Sequence, residues 1–290
     1  MIDEDEMTTQ RTWRWLAVFL VVDAVLVGIM LRHLSGGSDD APPTAAPTSS
    51  ATPEPTAPPA PSAAVPGLVD SADALVVWGG RGSCSEGTPV TLDRLVGGTR
   101  DELDPGVTEL LRLDVNDAGD VYVIGADADC APVEVLLSAG STEWVDPPGP
   151  IRRWHLTPGA ATLTTPAGAT DPGCPPVTYA AEGTSGVVGC ADGTVSSSQD
   201  DGASWQTVTT VAGLTTLART DDGLVVLAPV DGCAVAALRI EDGSPVLLGC
   251  ASEEPADGPA LLAQSATGFV AVVGDTVVRS EDGSTWEPAS

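Results

Sequence analysis

The sequence predicts an all-β fold: a β-propeller of five, alternatively six, four-stranded blades, preceded by one transmembrane helix and a disordered Pro/Thr-rich stalk. Three observations predict it. First, Asp200-Asp201-Gly202-Ala203-Ser204-Trp205 and Glu281-Asp282-Gly283-Ser284-Thr285-Trp286 share one pattern, acid-Asp-Gly-x-(Ser/Thr)-Trp, and Glu241-Asp242-Gly243-Ser244 repeats it midway without the Trp. Gly202, Gly243 and Gly283 therefore stand 41 and 40 residues apart, a period that marks a repeat architecture. Second, a glycine-led β-rich run precedes each box: Gly186-Val187-Val188-Gly189, Gly223-Leu224-Val225-Val226-Leu227 and Gly268-Phe269-Val270-Ala271-Val272-Val273. Third, helical periodicity is absent after residue 34, and antiparallel units of roughly 40–45 residues with four strands are blades, whose radial closure protects sheet edges.

Taken in order, residues 1–12 read as a cytoplasmic tail and 13–34 as a signal-anchor helix. Trp15 to Leu31 is apolar except for Asp23, and the span from Trp13 to Leu34 is 22 residues, enough to cross a hydrocarbon core. No small-x-small cleavage site follows Leu31, as a signal peptide would require, and no Cys follows for lipid attachment. Arg11 and Arg14 before the span against Arg32 after it, with the need to export a disulfide-prone domain, place the N-terminus inside. The chain is thus expected as a single-pass plasma-membrane protein with its C-terminal domain extracytoplasmic. Asp23 is either a partnered, functional carboxylate or a protonated one facing a helix neighbour. Residues 35–68 are rich in Pro, Ala, Thr and Ser and cannot bury enough surface to fold, so they form the stalk.

Residues 69–290 are left for the propeller, ample for a core. Ala74 to Gly80 reads as its first strand, with no box after it. Gly119-Asp120-Val121-Tyr122-Val123-Ile124-Gly125 leads to a degraded box, Ser138-Ala139-Gly140-Ser141-Thr142-Glu143-Trp144. Gly140 and Gly202 are 62 apart, so Pro150 to Pro172 is either an insertion or a blade that has lost its box, which leaves five and six blades open. Thr215–Leu217, Leu224–Leu227 and Ala234–Ile240 are strands of a later unit. Asp and Gly would build tight turns between third and fourth strands, and the Trp would pack between neighbouring sheets. Because the chain runs only four residues past Trp286, Val69 to Val77 are expected to complete the last blade and join the ends of the domain.

The six cysteines all lie in the exported domain, which reads as three disulfides. Cys174 with Cys190 would close the first two strands of one unit. Cys233 with Cys250 would bracket a hairpin, and Cys84 and Cys130 pair by elimination; connectivity beyond 174–190 stays open among 15 arrangements. No CxxC exists and the only exported His is His155, so no metal site is assigned, zinc least of all. Asp114-Val115-Asn116-Asp117-Ala118-Gly119-Asp120 has the composition of a calcium loop but lacks EF-hand spacing, and between two strands it reads as a turn. Arg152-Arg153-Trp154-His155, the one basic and aromatic cluster, reads as a core-anchored Trp with flanking salt bridges.

The chain has no Lys, and beyond residue 68 nine arginines stand against 33 acidic residues, hence a charge of −24. Nucleic-acid partners are excluded, since phosphate binding needs a basic surface.

On the boxes at 200–205, 241–244 and 281–286 the chain resembles the Asp-box, or BNR-repeat, β-propellers, a superfamily that includes sialidases, sortilin-type receptors and photosystem-assembly propellers. In that superfamily the box is a structural turn remote from the active centre. The resemblance therefore makes Asp200, Gly202, Trp205, Asp242, Gly243, Asp282, Gly283 and Trp286 fold residues, with no catalytic, cofactor or metal residue assigned. Sialidases hold their substrate with three arginines and attack with a tyrosine supported by a glutamate. Here the Arg-Ile-Pro motif of that family is missing, and only Tyr122 and Tyr179 could serve as nucleophile. The expectation is a non-enzymatic binding module for a protein or glycan partner, without a cofactor. The rivals are a sialidase-like or other glycoside hydrolase, which paired carboxylates would support, and a structural spacer.

Overall fold

The computed structural model describes residues 67–289 except Asp73, Ala161, Asp221 and Asp222. The expected tail, membrane span and all but the last two stalk residues lie outside the described residues, among which no helix is long and apolar enough to cross a membrane. Everything described is β-structure and turn.

Six antiparallel sheets follow one another along the chain. The first is β1 (Gly67–Ala72), β2 (Leu75–Gly80), β3 (Leu92–Val96) and β4 (Thr99–Leu103). The second is β5 (Glu109–Val115), β6 (Val121–Ala126), β7 (Pro132–Leu137) and β8 (Trp144–Val145). The third has three short strands, β9 (His155–Leu156), β10 (Leu163–Thr165) and β11 (Gly168–Thr170). The fourth is β12 (Pro176–Glu182), β13 (Ser185–Cys190), β14 (Thr194–Ser198) and β15 (Gln206–Thr210). The fifth is β16 (Thr216–Thr220), β17 (Gly223–Val230), β18 (Cys233–Glu241) and β19 (Ser244–Ser252), and the sixth β20 (Ala260–Ser265), β21 (Gly268–Val273), β22 (Thr276–Ser280) and β23 (Glu287–Pro288). This is a six-bladed propeller. The segment 150–172 is a blade reduced to its minimum, which decides between the two counts the sequence left open.

The glycine-led runs are the second strands, and their near-continuous apolar character follows from burial on both faces. Side chains alternate across a strand. On β17, Leu224, Val226 and Ala228 enter the cluster shared with the fourth blade, while Val225 and Leu227 enter the one shared with the sixth. On β21, Phe269, Ala271 and Val273 face the fifth blade, and Val270 and Val272 pack with Val76 and Trp78 of the first.

That last cluster closes the ring, and it corrects the expected closure. Val69 to Val77 do not complete the last blade, because residues 67–80 form the first two strands of the first blade and the sixth blade makes its own outer strand at Glu287–Pro288. β1 instead packs beside β20, with Ser71 Oγ donating to the Gln264 carbonyl at 3.2 Å. β1, with Gly67 the first described residue, includes Gly67 and Leu68 as well as the stretch from Val69.

Three disulfides are present. Cys174–Cys190 ties the approach to β12 to the end of β13, and Cys233–Cys250 spans β18 and β19. Cys84–Cys130 joins the first blade to the second. Beside it lies the pair Arg81–Glu109, only 7% and 2% exposed, at 2.7 Å. Glu109 also accepts from Gly159 N at 2.9 Å, and Arg81 Nη2 donates to the Ala160 carbonyl at 2.8 Å, so three blades meet on one charge pair.

Breaking that pair leaves a buried charge without compensation. Glu109→Ala is expected to lower unfolding free energy by about 3–5 kcal/mol, and the double variant Arg81→Met/Glu109→Leu by markedly less. Urea denaturation of the two variants checks this, and equal losses would show that packing, rather than charge, sets the cost.

Candidate functional site

The first strands β1, β5, β12, β16 and β20 line an axial cavity of about 380 Å³. Arg112, Asp114, Glu182, Arg219, Tyr179 and Asp70 line it, with Thr220 and Gln264. Ala180, Ala218 and Leu262 also border it, the last two almost fully buried in the core between the fifth and sixth blades. β9, two residues long, contributes nothing to the lining.

The gap that the short third blade leaves is bridged from both sides. Arg112 Nε donates to Asp114 Oδ2 at 2.6 Å, its Nη1 to the Trp154 carbonyl at 2.9 Å and its Nη2 to the Ala181 carbonyl at 3.3 Å, so one guanidinium spans three blades. Tyr179 donates its hydroxyl to the Leu111 carbonyl at 2.8 Å. Burial pushes the Tyr179 pKa upward, the opposite of what an attacking phenolate needs. Asp114 also accepts from Arg153 at 3.0 Å, and that guanidinium stacks 4.3 Å from the Tyr122 ring centroid. Trp154 is buried, donates to the Gly183 carbonyl at 3.0 Å and meets Trp205 edge to face. Burial holds the neighbouring His155 below the usual imidazole range, with Nδ1 donating to the Arg153 carbonyl.

Asp70 is the most perturbed acid. Its Oδ2 accepts from Val115 N at 2.6 Å and its Oδ1 from Ser71 N at 2.9 Å, pinning β1 to β5. Burial, reinforced by the charge of Asp114, raises its pKa from 3.8 to about 7 against the pull of those two N–H donors. The carboxyl lies deep in the ring yet keeps some accessible surface, because it faces the cavity.

The box residues are elsewhere. Each box forms the turn between third and fourth strands, at β14–β15, β18–β19 and β22–β23, and none of its residues lines the axial cavity. Asp200 Oδ1 accepts from Ser204 N at 2.9 Å and from Ser198 Oγ at 2.8 Å, and Trp205 donates to Thr170 of the third blade at 3.0 Å. Asp282 accepts from Ser284 N at 2.8 Å, while Trp286 donates to the Gly283 carbonyl and packs against the apolar cluster shared by the fifth and sixth blades. Gly202 has φ +78 and a Cβ there would meet Thr170 Oγ1 at 2.7 Å, so both backbone and space demand glycine. Asp242, at φ 48, precedes Gly243, whose carbonyl accepts from Thr209 of the fourth blade at 2.7 Å. Of the acidic segment 114–120, Asp114 and Val115 end β5 and residues 116–120 make the turn to β6, where Asp120 accepts from Asn116 and Ala139 N. Among the described residues no cluster of His, Cys, Asp and Glu is placed to hold a metal.

Sequence reasoning singled out neither Asp70 nor Glu182 nor Arg219. A signal existed: Glu182, Arg219 and Gln264 each stand four residues before the glycine of the following second strand, Gly186, Gly223 and Gly268. One repeat position near the ends of these three first strands thus carries a long polar side chain.

No family model matches this chain, and no curated protein does. Among solved structures it is similar to the SapL1 lectin in complex with alpha methyl fucoside, at 11% identity and TM-score 0.48 over 78% of this chain and 96% of that one. It is also similar to the Aleuria aurantia lectin in complex with alpha-methyl-L-fucoside, at 10% identity and TM-score 0.44 over 78% and 94%. A third similarity is to the GH74 xyloglucanase from Xanthomonas campestris, at 17% identity and TM-score 0.32 over 78% of this chain and 38% of that one.

A carboxyl whose pKa is raised on folding binds its proton more tightly in the native state, so its contribution to stability declines as pH rises between about 4 and 7. Asp70→Asn removes this term. Relative to wild type, the variant's melting temperature is expected to gain on the order of 5 °C between pH 5 and pH 8, read by thermal shift. A difference that stays constant with pH would show that Asp70 keeps an ordinary pKa.

Proposed function

We propose that this protein is a non-enzymatic binding module, displayed outside the plasma membrane on a single-pass anchor and stalk, with the axial cavity as its ligand site. The observation that carries the reading is the open cavity itself, polar at its rim and held by five independent strands. Small-ligand pockets begin near 300 Å³, and convergent polar groups on an apolar floor are their usual lining. Three disulfides favour an oxidising compartment, which supports export of the domain and hence the inside orientation of the N-terminus. The strongly acidic surface suits a glycan or a protein with basic character and repels nucleic acid.

One observation favours a second reading, glycoside hydrolysis. Asp70, with its raised pKa, lies near Asp114, which two guanidiniums bind, and a pair of carboxyl groups is what such a reaction uses. Against it, both Asp70 oxygens are occupied by backbone N–H groups, and Tyr179 is committed to a carbonyl.

Two measurements test the pair. The purified domain is expected to show no hydrolysis of sialosides or aryl glycosides, and turnover lost in Asp70→Asn or Asp114→Asn would make the enzyme reading the correct one. Gln264→Trp places an indole at the exposed rim of the cavity, and on glycan and peptide arrays it is expected to weaken binding at least about tenfold with an unchanged melting temperature. Unaltered array binding would remove the cavity as the site.

A further inference from the structure

The charged groups of the axial cavity fall into two sets. Arg112 and Asp114 are matched to one another at 2.6 Å, and Arg153 reaches both Asp114 at 3.0 Å and Glu134 at 3.7 Å, so two cations meet two anions in this set. Asp70 spends both oxygens on backbone N–H groups. Glu182, at the end of β12, and Arg219, one residue before the end of β16, form the second set. Among the described residues neither side chain makes a hydrogen bond or an ion pair, and they do not reach one another although both line the same wall on adjacent blades. A half-buried guanidinium is ordinarily paired, because partial loss of water is offset only by an acceptor. This cavity holds one half-buried, unpaired cation and one exposed, unpaired anion.

Resting on the binding-module reading, we propose that the axial cavity takes a free α-amino acid, its carboxylate on Arg219 and its ammonium on Glu182. A net anion would meet the charge of Glu182 and a net cation that of Arg219, whereas a zwitterion satisfies both. The volume of about 380 Å³ lies at the small end of ligand sites, which suits a single residue better than an oligosaccharide or a folded epitope. Each charge-assisted contact is of the strong kind, and Arg offers the carboxylate a bidentate fork. Because Asp70 is about half protonated at pH 7 and more so below it, it adds only part of a further negative charge there.

The experiment is isothermal titration of the described domain with L-leucine, L-leucinamide, which lacks the carboxylate, and N-acetyl-L-leucine, which lacks the ammonium. Saturable leucine binding is expected, with each analogue weaker by about tenfold or more, and the same loss for leucine in Arg219→Gln and in Glu182→Gln. Neither side chain supports the fold through a bond, so both variants are expected to keep the wild-type melting temperature, which separates lost binding from lost folding. No leucine binding, analogues that bind as well as leucine, or leucine binding indifferent to both variants would overturn the proposal. If leucine fails while an array ligand binds and Gln264→Trp abolishes it, the zwitterion assignment falls and the binding-module reading stands. If Gln264→Trp alters nothing, that reading falls as well.

Discussion

The structure depends on one constraint: the second strand of each full blade has no solvent face. Val76, Val77 and Trp78, or Val225, Val226 and Leu227, are apolar at consecutive positions, so each blade must be covered on both sides before it is stable. A ring is the arrangement in which every member of such a series finds two neighbours. This is why the closing contact is one of packing, Val76 and Trp78 against Leu261, Val270 and Val272, and needs no strand exchanged between first and last blades.

The third blade shows how far that rule bends. Its strands are two or three residues long, and it shares a single apolar cluster with both neighbours, built on Trp154, Leu156, Leu163, Ile124 and Val188. What it cannot supply in strand it supplies in bulk, through the Trp154 ring edge to face with Trp205, and the neighbours close the rest with Arg112 and Tyr179. The compensation shapes the cavity. Arg112, Asp114 and Tyr179 line the axis, yet their polar atoms are already spent on holding the second and fourth blades together.

Electrostatics divide along the same line. In a domain where nine arginines face 33 acids, most guanidiniums are used as staples: Arg81 across three blades, Arg112 across the gap, Arg94 with Asp101 and Arg100 with Asp93 along the charged outer edge of the first blade. Charged outer edges of this kind discourage edge-to-edge pairing of sheets. Arg219 stands apart because it lies at the cavity rim with no such duty.

The sequence by itself determined the class, the repeat, the turns and the pairing logic of the cysteines. Those properties are local: a glycine with positive φ at Gly202, an Asp that binds its own turn at Asp200, and an apolar run buried on both faces leave marks that recur at a fixed period. It did not determine the blade count, since the reduced blade at 155–170 carries no box and its strands are too short to be periodic. Nor did it reveal the cavity. Asp70, Glu182 and Arg219 come from three separate repeats, each an ordinary polar residue near the end of a first strand. Only closure of the ring, a property of all the blades at once, turns those strand ends toward one axis and sets the local dielectric and neighbouring charge that move Asp70 to about 7.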